Sequence, residues 1–130
     1  MLVGAIMEIV KLIRFSIQER DLEIDFDFYH HLNTLPLLKF DRFRFQQVLM
    51  NLLTNAVKFQ NSGRIKVKAE LTSERNLQDT RFFIVLAVED NGIGIAEENL
   101  WNIFKPFRMQ NRRGIKGNGV GLSIAKQICE

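Results

Sequence analysis

Residues 44–59 read RFQQVLMNLLTNAVKF, which has the apolar spacing of an amphipathic helix. Its broad apolar face is formed by Phe45, Val48, Leu49, Leu52, Leu53, Ala56 and Val57. A separate polar stripe, with steps of three or four residues, is formed by Arg44, Gln47, Asn51, Asn55 and Lys58. Amide oxygens can coordinate Mg²⁺ without adding charge, and a lysine can meet a phosphate as a point charge. The stripe therefore predicts a cation and phosphate site, with a solvated helix face or an amide network between helices as the alternatives.

The segments before this helix predict two further elements. Apolar residues at helical spacing indicate a helix over residues 3–20. Residues 22–28, LEIDFDF, alternate strictly between apolar and acidic side chains, so we expect a strand with one buried face. A loop is expected over residues 29–38, and Asp41 is expected to cap the central helix, which should run to about Phe59.

The segments after the central helix predict a hairpin and then further helical structure. Residues 64–71 alternate and predict a second strand, and the polar residues 72–80 predict the hairpin loop. A third strand is expected over residues 81–89, in the centre of the sheet because residues 82–88 are all apolar. The remaining predictions are a short helix over residues 97–104, a mobile lid over 109–118 and a helix over 120–130. This order predicts an α+β fold, a two-layer sandwich in which helices cover one face of a mixed sheet.

Composition limits the class of protein. The 130 residues are expected to form a single domain, residues 1–130, with a modest core. A net charge of +3 without a block of Lys and Arg argues against nucleic acid as a partner. The apolar run at 82–88 is too short to span a membrane. Cys129 is the single cysteine, so a reducing, cytoplasmic setting is expected, although the parent protein could itself be membrane-bound.

A glycine-rich segment follows the third predicted strand. It reads Asp90-Asn91-Gly92-Ile93-Gly94, and a carboxylate at a strand end can accept a hydrogen bond from an amine such as adenine N6. The glycines would allow the backbone to approach a bound base closely. A plain turn is the alternative, because Asp-Gly and Asn-Gly pairs are common in turns.

A second glycine-rich segment opens the last predicted helix. It reads Gly117-Asn118-Gly119-Val120-Gly121-Leu122, and exposed N–H groups at a helix start can bind an anion. The spacing is G-x-G-x-G, without a preceding strand or an acidic residue about 20 positions later, which excludes a dinucleotide-binding Rossmann motif.

Four segments, in this order, resemble the motifs of the GHKL ATPases and in their detail those of histidine kinases. RFQQVLMNLLTNAVKF resembles the N box, VEDNGIGI the first glycine box, IFKPF the F box and GNGVGLSIAKQI the second glycine box. The resemblance covers nearly the whole chain. It implies the Bergerat sandwich fold and the ATP-binding catalytic domain of a sensor histidine kinase, with ATP and Mg²⁺ as cofactors.

The resemblance also implies roles for individual residues. Asn55 matches the Mg²⁺-ligating asparagine, Asn51 lies near the metal and phosphates, and Lys58 matches a phosphate contact. Asp90 matches the carboxylate that reads adenine N6. The other implied nucleotide-site residues are Gly92 and Gly94 on the pocket floor, Phe104 and Phe107 in the F box, and Gly117, Gly119, Gly121 and Leu122 at the end of the lid. The two phenylalanines could equally be plain core anchors.

Three departures from the family pattern qualify this expectation. Asn118 stands where the family usually has threonine. The sequence ends at Glu130, on the last predicted helix, so the two strands expected to follow would be missing and the sheet edge open. His30 and His31 stand outside any H-box pattern. The phosphoryl acceptor is therefore expected to be a histidine on a separate dimerisation domain of the parent protein, with a response regulator acting indirectly.

Two other functions stay open. A gyrase-like, mismatch-repair-like or chaperone-like ATPase is one, and the resemblance implies for it a glutamate base one helical turn before Asn55. This chain has Asn51 there, which disfavours hydrolysis. A regulatory or degenerate nucleotide-binding module without catalysis is the other alternative.

Overall fold

A computed structural model describes residues 1–28, 39–107 and 119–130. In these ranges the elements are α1 (Leu2–Ser16), β1 (Leu22–Phe28), α2 (Arg42–Lys58), β2 (Gly63–Arg75), β3 (Thr80–Glu89), a 3₁₀ helix (Glu97–Asn102) and α3 (Gly121–Cys129). No helix within them is long and apolar enough to cross a membrane. The predicted loop at 29–38 and the predicted lid at 109–118 lie outside the described residues, and so does Gly117.

The strands form a three-stranded mixed sheet in the order β1-β2-β3. β1 and β2 are parallel, with Leu22 beside Gly63 and Phe28 beside Ala69. α2 lies in the crossover between them, as parallel neighbours require. β2 and β3 form the predicted antiparallel hairpin. The α+β class and the mixed sheet are therefore confirmed.

The predicted central position of β3 is wrong within the described part of the chain. β2 lies in the centre, and β3 is an edge strand there. Its apolar run led to the expectation of burial on both faces, yet Phe82 is 60% exposed and Phe83 is 42% exposed. An apolar run shows what a strand could bury, whereas its position depends on how many strands pair with it.

The predicted hairpin loop at residues 72–80 is also too long. β2 continues to Arg75, which pairs with Thr80, and the turn occupies only the residues between them. Asn76 closes the turn, since its side-chain Oδ1 accepts from the N–H groups of Gln78 at 3.0 Å and Asp79 at 2.8 Å. Polar side chains indicated exposure correctly but did not indicate whether the backbone was paired.

The core lies between one face of the sheet and the helices. It contains Ile6 and Val10 of α1, Ile24 of β1, Leu49 and Leu53 of α2, and Ile65, Val67 and Ala69 of β2, all buried. The opposite face is charged, and there Arg64 forms ion pairs with Glu23 at 3.4 Å and Asp25 at 3.0 Å. This division between apolar and charged faces confirms a layer of helices over one side of the sheet.

The helix ends show how far local sequence signals reach. Asp41 caps α2 as predicted, because its Oδ1 accepts from the N–H of Arg44 at 3.0 Å. α1 ends at Ser16 rather than residue 20, and Ile17 is nevertheless buried. The prediction was too long because Ile17 continues the apolar spacing. Its side chain is buried even though its backbone is no longer helical. The short helix is 3₁₀ and ends at Asn102 rather than 104.

A polar contact joins α1 to α2 outside the core. The carboxylate of Glu8 accepts from Arg42 and from Nε2 of Gln46, and Gln46 also donates to the carbonyl of Ala5 at 3.0 Å. These hydrogen bonds, with that from Arg42 the largest, hold the pKa of the Glu8 carboxyl below its usual value. The contact is exposed, so it orients the two helices with a modest contribution to stability.

Candidate functional site

The loop after β3 rests against the C-terminal end of α2. The carbonyl of Phe59, which caps α2, accepts from the N–H of Ile93 at 3.2 Å. Gly92 passes so close that a Cβ atom there would lie 2.6 Å from this carbonyl oxygen. Real Cβ atoms essentially never approach that closely, so this position of the loop requires glycine.

Asp90 lies in this loop with its side chain oriented by the backbone. Its Oδ1 accepts from the N–H of Gly92 at 2.7 Å. In the described part of the chain, the carboxylate makes no ion pair. Asp90 is exposed, so its second oxygen can accept from a ligand. This geometry combines the two interpretations of the segment, since the turn itself orients a carboxylate that a ligand amine can reach.

Gln60 contacts the Asp90 loop, and the sequence did not indicate this contact. It is only 3% exposed and is the buried polar residue of the described ranges. Its Oε1 accepts from the N–H of Asn91 at 2.9 Å, while its Nε2 donates to the carbonyls of Ser62 at 2.9 Å and Arg64 at 3.4 Å. A glutamine just after a helix and before a polar turn is usually solvated, so the sequence carried no signal for its burial.

Asn51 connects the polar stripe of α2 to the start of α3. Its Nδ2 donates to the carbonyl of Gly121 at 3.0 Å, and a Cβ at Gly121 would lie 3.6 Å from the amide group. The second glycine-rich segment is thereby placed beside the amide stripe. The contact supports the interpretation of the stripe as an amide network between helices, and it leaves Oδ1 of Asn51 available as an acceptor.

Asn55 lies one turn further along α2 and is half-buried. Within residues 1–28, 39–107 and 119–130, its side chain has no hydrogen-bond partner. No group of three or more His, Cys, Asp or Glu side chains in those ranges could hold a metal ion. The amide oxygens of the stripe, water and ligand phosphates are donors that a Mg²⁺ ion here could use. That donor set suits Mg²⁺, which retains water and is commonly held together with substrate phosphates.

The two cations of the stripe differ in their surroundings. Lys58, in the last turn of α2, has its ammonium 5.2 Å from the centre of the Phe59 ring and no ion pair with the described residues. Arg44, at the other end, pairs with Asp41 at 3.4 Å and is largely exposed. No described acidic side chain pairs with Lys58, so its ammonium can attract an anion. It lies close to the end of α2 on which the Asp90 loop rests.

The F box and the second glycine box meet through their backbones. The N–H of Phe107 donates to the carbonyl of Gly119 at 2.9 Å. Phe107 has a φ of 60° and Gly119 a φ of 68°, so both adopt the left-handed conformation, which costs energy in phenylalanine but not in glycine. Phe107 is 78% exposed and Phe104 is 46% exposed. Neither phenylalanine is therefore a core anchor.

The predicted site residues thus fall into three contacting groups. Asp90 and Gly92 lie at the end of α2, Asn51 touches Gly121, and Phe107 touches Gly119. Half-buried Leu122 follows Gly121 in the first turn of α3. Gly94 has a φ of 71°, and a Cβ there would meet nothing within 4 Å.

Two surface concavities, of about 770 and 370 Å³, lie against α1 and β1. Neither is lined by any predicted site residue that the structure describes. The contacts among the motifs, and not these two concavities, outline the candidate site.

Comparison with known proteins indicates the family to which the chain belongs. Residues 40–130 match the family model described as histidine kinase-, DNA gyrase B- and HSP90-like ATPase. The chain is 34% identical over 124 residues to hybrid signal transduction histidine kinase B of Dictyostelium discoideum, covering 93% of this chain and 6% of that relative. It is 34% identical over 129 residues to the peroxide stress-activated histidine kinase mak2 of Schizosaccharomyces pombe, covering 96% of this chain and 6% of that relative.

Two solved structures have a similar fold. Full-length ShkA in complex with AMPPNP superposes with a TM-score of 0.72 and 26% identity, covering 98% of this chain and 24% of that one. The catalytic domain of the histidine kinase ThkA superposes with a TM-score of 0.65 and 29% identity, covering 98% of this chain and 75% of that one.

The chain therefore belongs to the histidine kinase-, DNA gyrase B- and HSP90-like ATPase family. Within that family it is a histidine kinase-type ATPase domain, because the two relatives described and the structurally similar ThkA are histidine kinases. The chain spans only about 6% of the length of the two relatives described.

Proposed function

We propose that this chain binds ATP with Mg²⁺ and donates the γ-phosphoryl group to a histidine on a separate dimerisation domain of its parent protein. The observation that carries the proposal is the convergence of the motifs on α2. Asn51, in the middle of α2, contacts the start of α3, and the carbonyl of Phe59 and the side chain of Gln60 hold the Asp90 loop at the C-terminal end of α2. The AMPPNP bound by the structurally similar ShkA supports a nucleotide as the ligand.

Each group of contacts has a task in this proposal. The free carboxylate oxygen of Asp90 accepts from the adenine amino group, which identifies the base. The amide oxygens of Asn55 and Asn51 would hold Mg²⁺, and the ammonium of Lys58 would attract a phosphate. Gly119 and Gly121 bring the backbone at the start of α3 close to the phosphates.

In the transfer step, the main task of the protein is to position the reacting groups. Phosphoryl transfer proceeds mainly through alignment of the reacting groups and neutralisation of charge. The bound Mg²⁺ would supply neutralisation of the phosphate oxygens. The acceptor imidazole is itself the nucleophile, so this chain needs no nucleophile of its own. Position 51 is an asparagine, whose amide cannot act as a general base for water. This supports transfer over hydrolysis.

The wider setting follows from the histidine kinase relatives. In the parent protein, the phosphoryl group would pass from the acceptor histidine to a response regulator, in a two-component phosphorelay. We place this part of the protein in the cytoplasm, where ATP and Mg²⁺ are plentiful and an exposed cysteine such as Cys129 stays reduced.

A transfer assay tests the proposal. The chain is incubated with ATP labelled in the γ-phosphoryl group and a separately purified dimerisation domain from a related histidine kinase. Acid-labile label should appear on that domain and not on this chain, and the same domain with its histidine replaced by glutamine should remain unlabelled. Release of the label as inorganic phosphate without an acceptor would indicate a hydrolase instead. Nucleotide binding without transfer or hydrolysis would indicate a regulatory module.

A further inference from the structure

The buried amide of Gln60 lies where three segments of the chain meet. Its Oε1 binds the N–H of Asn91, and its Nε2 binds the carbonyls of Ser62 and Arg64. Its own backbone carbonyl accepts from the guanidinium of Arg20, in the turn between α1 and β1. One side chain thus links the loop after β3 to the start of β2, next to the end of α2.

This burial fits a specific geometric task. A buried glutamine requires partners for one acceptor and two donor positions, and here both ends of the amide are used. The turn before β2 folds around it, since a Cβ at Gly63 would lie 3.1 Å from Nε2. A buried apolar side chain could fill the same space, but it could not hold the N–H of Asn91.

The hydrogen bond from the N–H of Asn91 to Gln60 constrains the backbone next to Asp90, the residue that would accept from the base. Asn91 directly follows Asp90, and the carboxylate of Asp90 is oriented by the N–H of Gly92. The N–H of Ile93 binds the carbonyl of Phe59, the residue before Gln60. Two successive residues at the end of α2 therefore hold the loop on both sides of Gly92.

We propose that Gln60 is a positioning residue for base recognition, which holds the Asp90 loop on the end of α2 and so fixes the Asp90 carboxylate relative to the amide stripe. This inference rests on the proposed function, in which Asp90 accepts from the adenine amino group. Gln60 itself does not touch the nucleotide. It acts through the backbone of Asn91.

The test compares two nucleotides on the same protein. Dissociation constants are measured for ATP and for purine riboside triphosphate, which lacks the 6-amino group. Their ratio reports the hydrogen bond to Asp90, and it is independent of the folded fraction because that fraction scales both constants equally. A variant that is partly unfolded still gives a valid ratio.

The wild-type chain of residues 1–130 is compared with three variants. Wild type should prefer ATP by about tenfold or more, the discrimination expected from one hydrogen bond to a charged group. Gln60→Ala should bring the ratio close to one. Gln60→Glu retains an oxygen for the N–H of Asn91 but sets its second oxygen against the carbonyls of Ser62 and Arg64, so it should lower the preference less than Gln60→Ala does. Gln46→Ala removes a glutamine that links α1 to α2 far from the loop, and it should leave the ratio unchanged.

Amide hydrogen exchange separates failure of this inference from failure of the proposed function. In the ligand-free chain, Gln60→Ala should accelerate exchange of the N–H groups of Asn91 and Ile93, whereas Gln46→Ala should not. Absence of nucleotide binding by wild type would refute the proposed function and, with it, the role in base recognition. A wild-type preference for ATP that persists in Gln60→Ala, or unchanged exchange at Asn91, would overturn the positioning role.

Discussion

Replacing Gly92 with alanine perturbs the contact between α2 and the Asp90 loop with a single methyl group. The added Cβ would lie 2.6 Å from the carbonyl oxygen of Phe59 and 2.7 Å from Oδ1 of Asp90. Both distances are below 3.0 Å, so at least one of these groups must move. The Phe59 oxygen belongs to the helix cap, and the loop must therefore lift from α2.

The energetic cost follows from three contributions. Forcing a methyl group into a filled space costs about 1–3 kcal/mol. Lifting the loop also breaks the hydrogen bond from Ile93 to Phe59, which contributes about 1 kcal/mol. Alanine restricts the unfolded chain more than glycine does, and this offsets about 0.4–1 kcal/mol of the destabilisation. We expect Gly92→Ala to lower the free energy of unfolding by about 2 kcal/mol, and to weaken nucleotide binding because Asp90 moves as well.

Urea unfolding followed by circular dichroism measures this difference. Gly4→Ala is the matched control, because a Cβ at Gly4, within α1, would meet nothing within 4 Å. That substitution should raise the free energy of unfolding by about 0.5–1 kcal/mol through better helix propensity. A Gly92→Ala protein within about 0.5 kcal/mol of wild type, with unchanged nucleotide affinity, would refute the close approach of the loop to α2.

Further predictions concern the helices that support the site. Asp41→Ala should lower the free energy of unfolding by about 1 kcal/mol through loss of the α2 cap, whereas Asp41→Asn should retain most of it in the same urea titration. Leu53→Ala should cost about 2–5 kcal/mol, because Leu53 is fully buried in the core. Hydrogen bonds from α2 lower the pKa of the folded-state Glu8 carboxyl below its ordinary 4.5, so their stabilisation is present above that pH and lost as pH falls through the folded-state pKa. Glu8→Gln should therefore reduce the acid-induced loss of stability in a series of urea titrations at falling pH.

The sequence predicted those features that depend on local pattern. Strict alternation identified β1, because a strand with one buried face must place every second side chain in the core. The capping aspartate marked the start of α2, since the first N–H groups of a helix need an acceptor nearby in sequence. The order of the glycine motifs around that helix indicated the family, and the family match supports it.

The features that the sequence did not predict depend on distant partners. The pairing of Arg75 with Thr80 extends β2 through polar residues, because a backbone ladder needs no apolar side chains. The edge position of β3 depends on which strands are beside it. Gln60 is buried because the Asp90 loop, 30 residues further on, brings the N–H of Asn91 to it. Its neighbours in sequence indicate only a turn.

Calorimetric titration of the folded chain with ATP, with and without Mg²⁺, tests the central claim most directly. The claim predicts saturable binding that Asp90→Asn weakens about tenfold or more, because an asparagine oxygen still accepts from Gly92 but carries no charge for the adenine amine. It also predicts that Asn55→Ala abolishes the dependence of binding on Mg²⁺. Absence of saturable binding by a chain that circular dichroism shows to be folded, or affinity unchanged in both variants, would contradict a nucleotide site on α2.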